Sequence, residues 1–374
     1  MCVPTVIDLP FARPKLVSAD RVIPYLRRID ASRWYSNGGP LCVDFQAKLA
    51  AFWGLEPESV ALTPNATIGI TLALNAHGIK PGLQCLMPSW TFVASAAAVT
   101  AAHLLPRFVD VRPDTWCPDP AYVEQLAKSP DVGAILIVVP FGAPIDLDVW
   151  DAVASRTGKP VIIDAAAAFD TLRHGGPMTV PNCTTVVSLH ATKVFGVGEG
   201  GAVLSRDTEL AERVRILSRF GFNGSREAQY RGGNAKISEY TAAVGLAALD
   251  EWSDARADWQ AAGALYQKAL PSAISDALWL GQSWVTSTLS IRWPGLASDL
   301  AGALARKGVG SVAWWGEGCH VQRAYADCQA DPLPVTRQLG QSVLGLPFMR
   351  DMTGQDVGRV NAVLIEEWEK VCGV

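Results

Sequence analysis

Through roughly its first two-thirds the chain alternates short β-branched apolar runs with segments whose apolar residues recur every three to four positions. "SVALTPNATIGITLALNAHG" reads as a strand, a polar turn and a helix. "QCLMPSWTFVASAAAVTAAHLLPRFVDV" repeats the theme, with a turn at Pro88-Ser89 and a strand at "FVDV". "VGAILIVVPFG" and "PVIID" are continuous apolar runs bounded by Pro, Gly and Asp, as strands buried on both faces tend to be. "TTVVSLHATK" and "GGAVLS" complete a set of strand candidates alternating with helices. Such alternation predicts an α/β domain built on a mostly parallel sheet.

The pattern changes after "ISEYTAAVGLAALDEW", where Ile237, Tyr240, Val244 and Ala248 fall on one helical face and Ser238 and Glu239 occupy the first turn. Beyond Asp254 the spacing predicts a long helix, a strand in "TSTLSIRW", a helix in "ASDLAGALARKG" and a terminal helix after "MTGQDVGRV". The expected division is a larger domain over 1–250, including the N-terminal segment, and a smaller α+β domain over 251–374.

Composition narrows the function classes. Hydrophobic residues make up 49% and charged ones 18% of 374 residues, and the net charge is −4. Basic residues are scattered, so no nucleic-acid footprint is expected. The longest apolar runs, such as 134–141, fall far short of the ~20 residues that cross a bilayer. The first residues, broken by Asp8 and several prolines, do not read as an export signal. The expectation is a soluble cytoplasmic protein without membrane contact. Eight cysteines show no CxxC pair or regular spacing, which predicts reduced thiols and no metal site.

"SLHATKVFGVGEGG" (188–201) poses the chemical question. Gly196, Gly198 and Gly201 fit the dinucleotide fingerprint G-x-G-x-x-G, but they lead into a strand-like run instead of opening a helix. The context therefore argues against a nicotinamide dehydrogenase and puts the weight on Lys193. A lysine amine can form a Schiff base with an aldehyde cofactor, commonly pyridoxal 5'-phosphate (PLP). Such a site needs a carboxylate for the pyridine nitrogen, an anion cradle at a helix start and an apolar face for the ring. Asp164 ends the buried run "PVIID", where a carboxylate would sit at the C-terminal sheet edge; its alternative role is a helix cap. "PNATIG" offers the amides of Ala66 and Thr67 at a helix start, the alternative being an ordinary Asn65 cap. Ser188 is a further phosphate hydroxyl or a packed serine, and Trp90 and Phe92 are ring platforms or core residues.

These blocks, together with "YSNGGP", "VVPFGAPIDLD", "GGNAKISEYTAAVGLAALDEW" and "LPVTRQLGQSVLGLPF", resemble the DegT/DnrJ/EryC1/StrS family of sugar aminotransferases within the fold-type I PLP enzymes. The resemblance covers nearly the whole chain. It implies a large domain with a seven-stranded, mostly parallel sheet between helices, and a smaller C-terminal α+β domain. It implies PLP held on Lys193 as an internal aldimine, Asp164 on the pyridinium nitrogen, and Ala66, Thr67 and Ser188 on the phosphate. Phe92 would stack on the ring with Trp90 next in line, and Asn234 would reach the cofactor of a neighbouring subunit in a homodimer with shared sites. The implied reaction is ping-pong transamination of a nucleotide-linked keto-deoxysugar, keto at C4 or C3, through pyridoxamine phosphate with L-glutamate as donor. Tyr35, Asn37, His190 and His320 are further candidates for substrate contact.

Three departures stand out: Ala167 where the family usually has glutamine, Ala235-Lys236 where an aromatic and an arginine are usual, and Ala66 where the phosphate turn usually has glycine. Two other readings stay open: a catalytically silent PLP- or sugar-binding regulator, and a sugar dehydratase of the same fold. The dehydratases carry a histidine in place of the Schiff-base lysine, so Lys193 argues against the latter.

Overall fold

The computed structural model describes residues 6–174, 179–281 and 283–373; Cys2 lies outside them. Strands β1 (Val60–Thr63), β2 (Gln84–Pro88), β3 (Leu105–Val109), β4 (Val132–Val138), β5 (Val161–Asp164), β6 (Cys183–Ser188) and β7 (Gly201–Leu204) build the main sheet. Two strands, β8 (Leu278–Trp279) and β9 (Leu289–Arg292), follow in the C-terminal part, then β10 (Gln329–Ala330) and β11 (Val343–Leu346). The main sheet runs β1-β7-β6-β5-β4-β2-β3-β10. Its pairs are parallel except for β7, which runs antiparallel to both β1 and β6. The fold is thus the expected α/β layering with a mostly parallel sheet.

The sheet is one strand wider than the expected seven. β10, two exposed residues from the C-terminal part, pairs in parallel with β3. Nothing in the apolar pattern marks it, because an edge strand this short buries no side chain. The central strand β4, "VGAILIV", is buried at every position, as a strand covered by helices on both faces must be. Helices such as Ala66–Ala76 and Val93–Ala101 cover one face, with Ile70, Ala73, Ala98 and Val99 buried against β2 and β4 side chains.

β11, β9 and β8 form a separate antiparallel sheet, backed by helices Ala297–Arg306 and Gly354–Cys372. Residues 8–13 run along this part of the chain. Leu9 bridges to Val309, Phe11 Oaccepts a bond from Phe348 N–H, and Arg359 and Asp351 pair with Asp8 and Arg13. No helix of the described residues is long and apolar enough to cross a membrane.

Helix Glu239–Asp250 turns a different face inward from the one the spacing suggested. Ala242, Ala243, Leu246 and Ala247 are buried, whereas Tyr240 is exposed and stacks on Tyr35. Small residues win because Gly245 meets the Phe45 ring, which leaves no room for a side chain. Buried Glu239 accepts hydrogen bonds from Leu41 N–H (2.8 Å) and Cys42 N–H (2.9 Å), first-turn groups of helix Pro40–Trp53 that no helical carbonyl can reach. Glu239→Ala orphans both, at about 1–3 kcal/mol each. The urea midpoint should fall accordingly, and Glu239→Gln should lose less; equal midpoints for wild type and Glu239→Ala would refute the capping role.

Candidate active site

Register places the chemistry at the C-terminal edge of the parallel strands. Asp164, the last residue of β5, pairs with Val138 of β4 on one side and Val186 of β6 on the other, and Ser188 ends β6 two residues further on. Ligands of open α/β sheets bind in the crevice beyond these strand ends. The crevice here is a cavity of about 520 Å³, walled by Asn65, Ala66, Thr67, Phe92, Asp164, Ser188, His190 and Lys193 among others. Ser287, Thr288, Trp314 and Trp315 reach it from the C-terminal part.

Lys193 stands on a tight loop between β6 and β7. Leu189 N–H donates to Gly200 O, Val197 N–H to Leu189 O and Ala191 N–H to Gly198 O, folding the glycine-rich stretch back on itself. Gly198, at φ +95°, takes a conformation that side-chain-bearing residues rarely adopt. The loop leads into β7 and not into a helix, so its glycines shape the lysine's surroundings and form no dinucleotide turn. Burial pushes the Lys193 amine below the ordinary lysine range, with the nearby Asp164 charge opposing. A depressed amine is what a nucleophile and proton carrier requires.

Asp164 is buried, and desolvation raises its carboxyl above the ordinary range. Three effects oppose that rise: the Ser95 hydroxyl donating to Oδ2 (2.6 Å), the Ala166 N–H donating to Oδ1 (3.1 Å), and the Lys193 charge. It caps no helix, since the alanines after it form a turn.

The turn offered as an anion cradle depends on one glycine. Gly201, first residue of β7, lies between Thr63 of β1 and Ser188 of β6. A Cβ there would come within 2.6 Å of Asn65 C and 2.8 Å of Ala66 N. Its absence lets the turn entering helix Ala66–Ala76 close toward Ser188. Asn65 Oδ1 caps that helix by accepting from Ile68 N–H (2.9 Å), and the amides of Ala66 and Thr67 ahead of it sit in the cavity wall. Gly201→Ala should push this turn aside and weaken PLP binding about 10- to 100-fold, the equivalent of a modest overpacking strain. Titration of the apoprotein reads it directly, with Gly358→Ala, which meets open space, as the control; equal affinity in both variants would show that the turn is no cradle.

The structure does not bring every candidate to this cavity. Trp90 is buried behind it, edge-on to Trp116 and Trp315, and its indole N–H finds no partner among the described residues. His320 sits at the Ser89 turn. Its backbone N–H donates to Ser89 Oγ (3.1 Å), which lies 2.8 Å from its Nδ1, and burial lowers its pKa. Tyr35 and Asn37 lie on a loop beside Tyr240, and Asn234 is exposed, its side chain taken by Lys236. None of these five lines the cavity. His190 does: its Nδ1 accepts from Thr192 N–H (3.2 Å), which turns Nε2 toward Glu199 (3.6 Å).

Other residues enter the site without having been singled out. Phe141 holds φ +50°, a strained conformation for a bulky side chain, and stacks on Trp315 with centroids 4.2 Å apart. Three side chains hold that turn: Trp279 Nε1–H, Thr286 Oγ–H and Thr171 Oγ–H donate to the carbonyls of Pro140, Phe141 and Gly142. Ser95 follows Phe92 by three residues and was within reach of the "PSWTFVAS" pattern. Among the described residues no group of His, Cys, Asp and Glu could hold a metal ion.

The residues present fit PLP: an amine for the aldehyde, a carboxylate for the ring nitrogen, a cradle for the phosphate, and Phe92 beside them. Fold and site define a PLP-dependent enzyme of fold type I. Residues 18–365 match the DegT/DnrJ/EryC1/StrS aminotransferase family, and the chain belongs to it. It is therefore a PLP-dependent aminotransferase. A dTDP-4-amino-4,6-dideoxy-D-glucose transaminase of Shigella dysenteriae is 33% identical over 64% of this chain and 64% of its own length. DesI, solved in the presence of its TDP-sugar product, superimposes with a TM-score of 0.86 at 30% identity, covering 99% of this chain and 96% of that one. DesV of S. venezuelae, solved in complex with a ketimine intermediate, gives 0.82 at 26% identity, covering 94% and 95%.

Proposed function

We propose that the protein transfers an amino group from L-glutamate to a keto-deoxysugar carried on a nucleotide, at C4 or C3 of the sugar, with ping-pong kinetics in the cytoplasm. The observation that carries this reading is the convergence of Lys193 and Asp164 on one cavity beside an anion cradle; the sugar class follows the relatives named above. PLP, when bound, supplies an electrophilic aldehyde carbon and a ring that accepts an electron pair from an attached carbon. Lys193 Nζ would hold that aldehyde carbon, and its amine, kept neutral by burial, would be the group that moves the proton at Cα of the donor. Asp164 holds the ring nitrogen's positive charge, and Ala66, Thr67 and Ser188 hold the phosphate, so the reacting bonds keep a fixed orientation against Phe92. Ala167 offers no hydrogen bond where the family's glutamine would, which leaves the charge pair untouched.

The protein is proposed to work as a homodimer. The support is that Asn234 is exposed and lies outside its own protomer's cavity, so that any cofactor it serves would be a neighbour's. Visible spectra of the purified protein with and without L-glutamate, followed by a screen of nucleotide-linked keto sugars, test the reading. Conversion of the cofactor band by glutamate and its return with a keto sugar support it. A band that no amino donor alters would leave a silent PLP-binding protein instead.

A further inference from the structure

Asp164 is not held by its own backbone alone. Ser95 and Thr91, both almost fully buried, stand in line behind it where the β2 turn enters helix Val93–Ala101. A carboxylate only accepts, so at 2.6 Å the Ser95 hydroxyl must donate to Asp164 Oδ2. Its proton being committed, Ser95 Oγ receives the Thr91 hydroxyl at 2.9 Å. The other acceptor near Thr91, Phe92 O, is farther away at 3.4 Å. A one-way chain therefore runs from Thr91 to Ser95 to Asp164, while Ala166 N–H holds Oδ1.

We propose that Ser95 is a positioning residue of the transamination, its hydroxyl fixing the orientation of the Asp164 carboxylate and keeping it ionised opposite the cofactor's ring nitrogen. The proposal rests on the reading that Asp164 meets that nitrogen. Two features separate it from a merely packed serine. The bond is short and ends on a charge, the kind of hydrogen bond that is stronger than a neutral one. The donor also has no freedom to turn elsewhere, because Thr91 fills its accepting side.

Removing a hydrogen bond to a charged group is expected to change the ionisation balance about tenfold or more, which is about one pH unit. The direct readout is the ring nitrogen's protonation, followed by 15N NMR of protein loaded with 15N-labelled PLP between pH 6 and 10. In Ser95→Ala the nitrogen should lose its proton at a pH lower by about one unit. The glutamate half-reaction should slow about 10- to 100-fold with KM changed less than about threefold. Ser95→Thr keeps the hydroxyl and should restore both, and Ser95→Cys, a weak donor, should fall between. An unshifted 15N midpoint in Ser95→Ala would overturn the proposal, as would a Ser95→Thr variant no better than alanine. Asp164→Asn, measured alongside, separates the two levels. If it too leaves the nitrogen unchanged, the assignment of Asp164 fails; if it alone shifts the nitrogen, only the role of Ser95 fails.

Discussion

Lys193→Ala should retain PLP only non-covalently, lose the visible band that a lysine-bound cofactor gives, and lower kcat by about 10⁴-fold or more. The size follows from two losses at one atom. In the proposed reaction the amine anchors the aldehyde carbon, and its second task, carrying a proton between adjacent atoms of the reacting pair, would contribute about 10²–10⁴-fold on its own. Lys193→Arg should be as inactive, because a guanidinium keeps its proton at any workable pH. A small primary amine added to Lys193→Ala should recover part of the rate, since it supplies the missing base without the tether. The wild-type apoprotein gives an independent check. Burial lowers the Lys193 amine from the ordinary 10.5, against the pull of Asp164. Only the neutral amine attacks an aldehyde, so PLP capture should speed up as pH rises and level off around a midpoint below 10.5. Turnover by Lys193→Ala within tenfold of wild type would end the assignment.

How much of this site the sequence displayed follows from what each residue needs from its neighbours. Asp164, Thr67 and Ser188 stand at the ends of strands or the start of a helix, and Lys193 on the glycine-rich loop that follows β6. Period and breakers mark those places, and strand order carries them to one sheet edge. Trp90 and Phe92 show the limit. They lie two residues apart in the bend that follows β2, yet the first is buried against Trp116 and the second is exposed at the cavity. A pattern that names both aromatics cannot show how the chain turns between β2 and the following helix. Phe141 was hidden for another reason: it closes an apolar run that reads as core, and its place in the cavity wall depends on a positive φ in a turn held by three donors from distant segments. The two residues of β10 carry no apolar signal at all. Ser287, Thr288 and Trp315 come from the far end of the chain, and only the packing of the C-terminal part against the main sheet brings them in.

Asp164→Asn carries the second large effect, and it should act in opposite directions on chemistry and on stability. The amide keeps the shape of the carboxylate but not its charge, so under the proposed role the ring nitrogen would lose the partner that keeps it cationic. Breaking a buried pair by removing one charge costs about 3–5 kcal/mol. At about 1.4 kcal/mol per decade this slows both half-reactions by roughly two to three and a half powers of ten. The apoprotein has no ring nitrogen to compensate Asp164. There desolvation raises the carboxyl above its unfolded value, so the ionised form works against folding: this group's contribution to stability is fully present below the unfolded pKa of 3.8 and is lost as pH rises through the raised folded value. At neutral pH the asparagine removes that burden. The gain is limited, because Ser95 O–H and Ala166 N–H lose a charged acceptor and Lys193 an opposite charge. Thermal unfolding of the apoproteins at neutral pH should therefore show Asp164→Asn no less stable than wild type, while its turnover collapses. A variant that unfolds readily as apoprotein would mean that Asp164 is a structural carboxylate first. One that keeps full turnover would mean that the ring nitrogen finds its charge elsewhere.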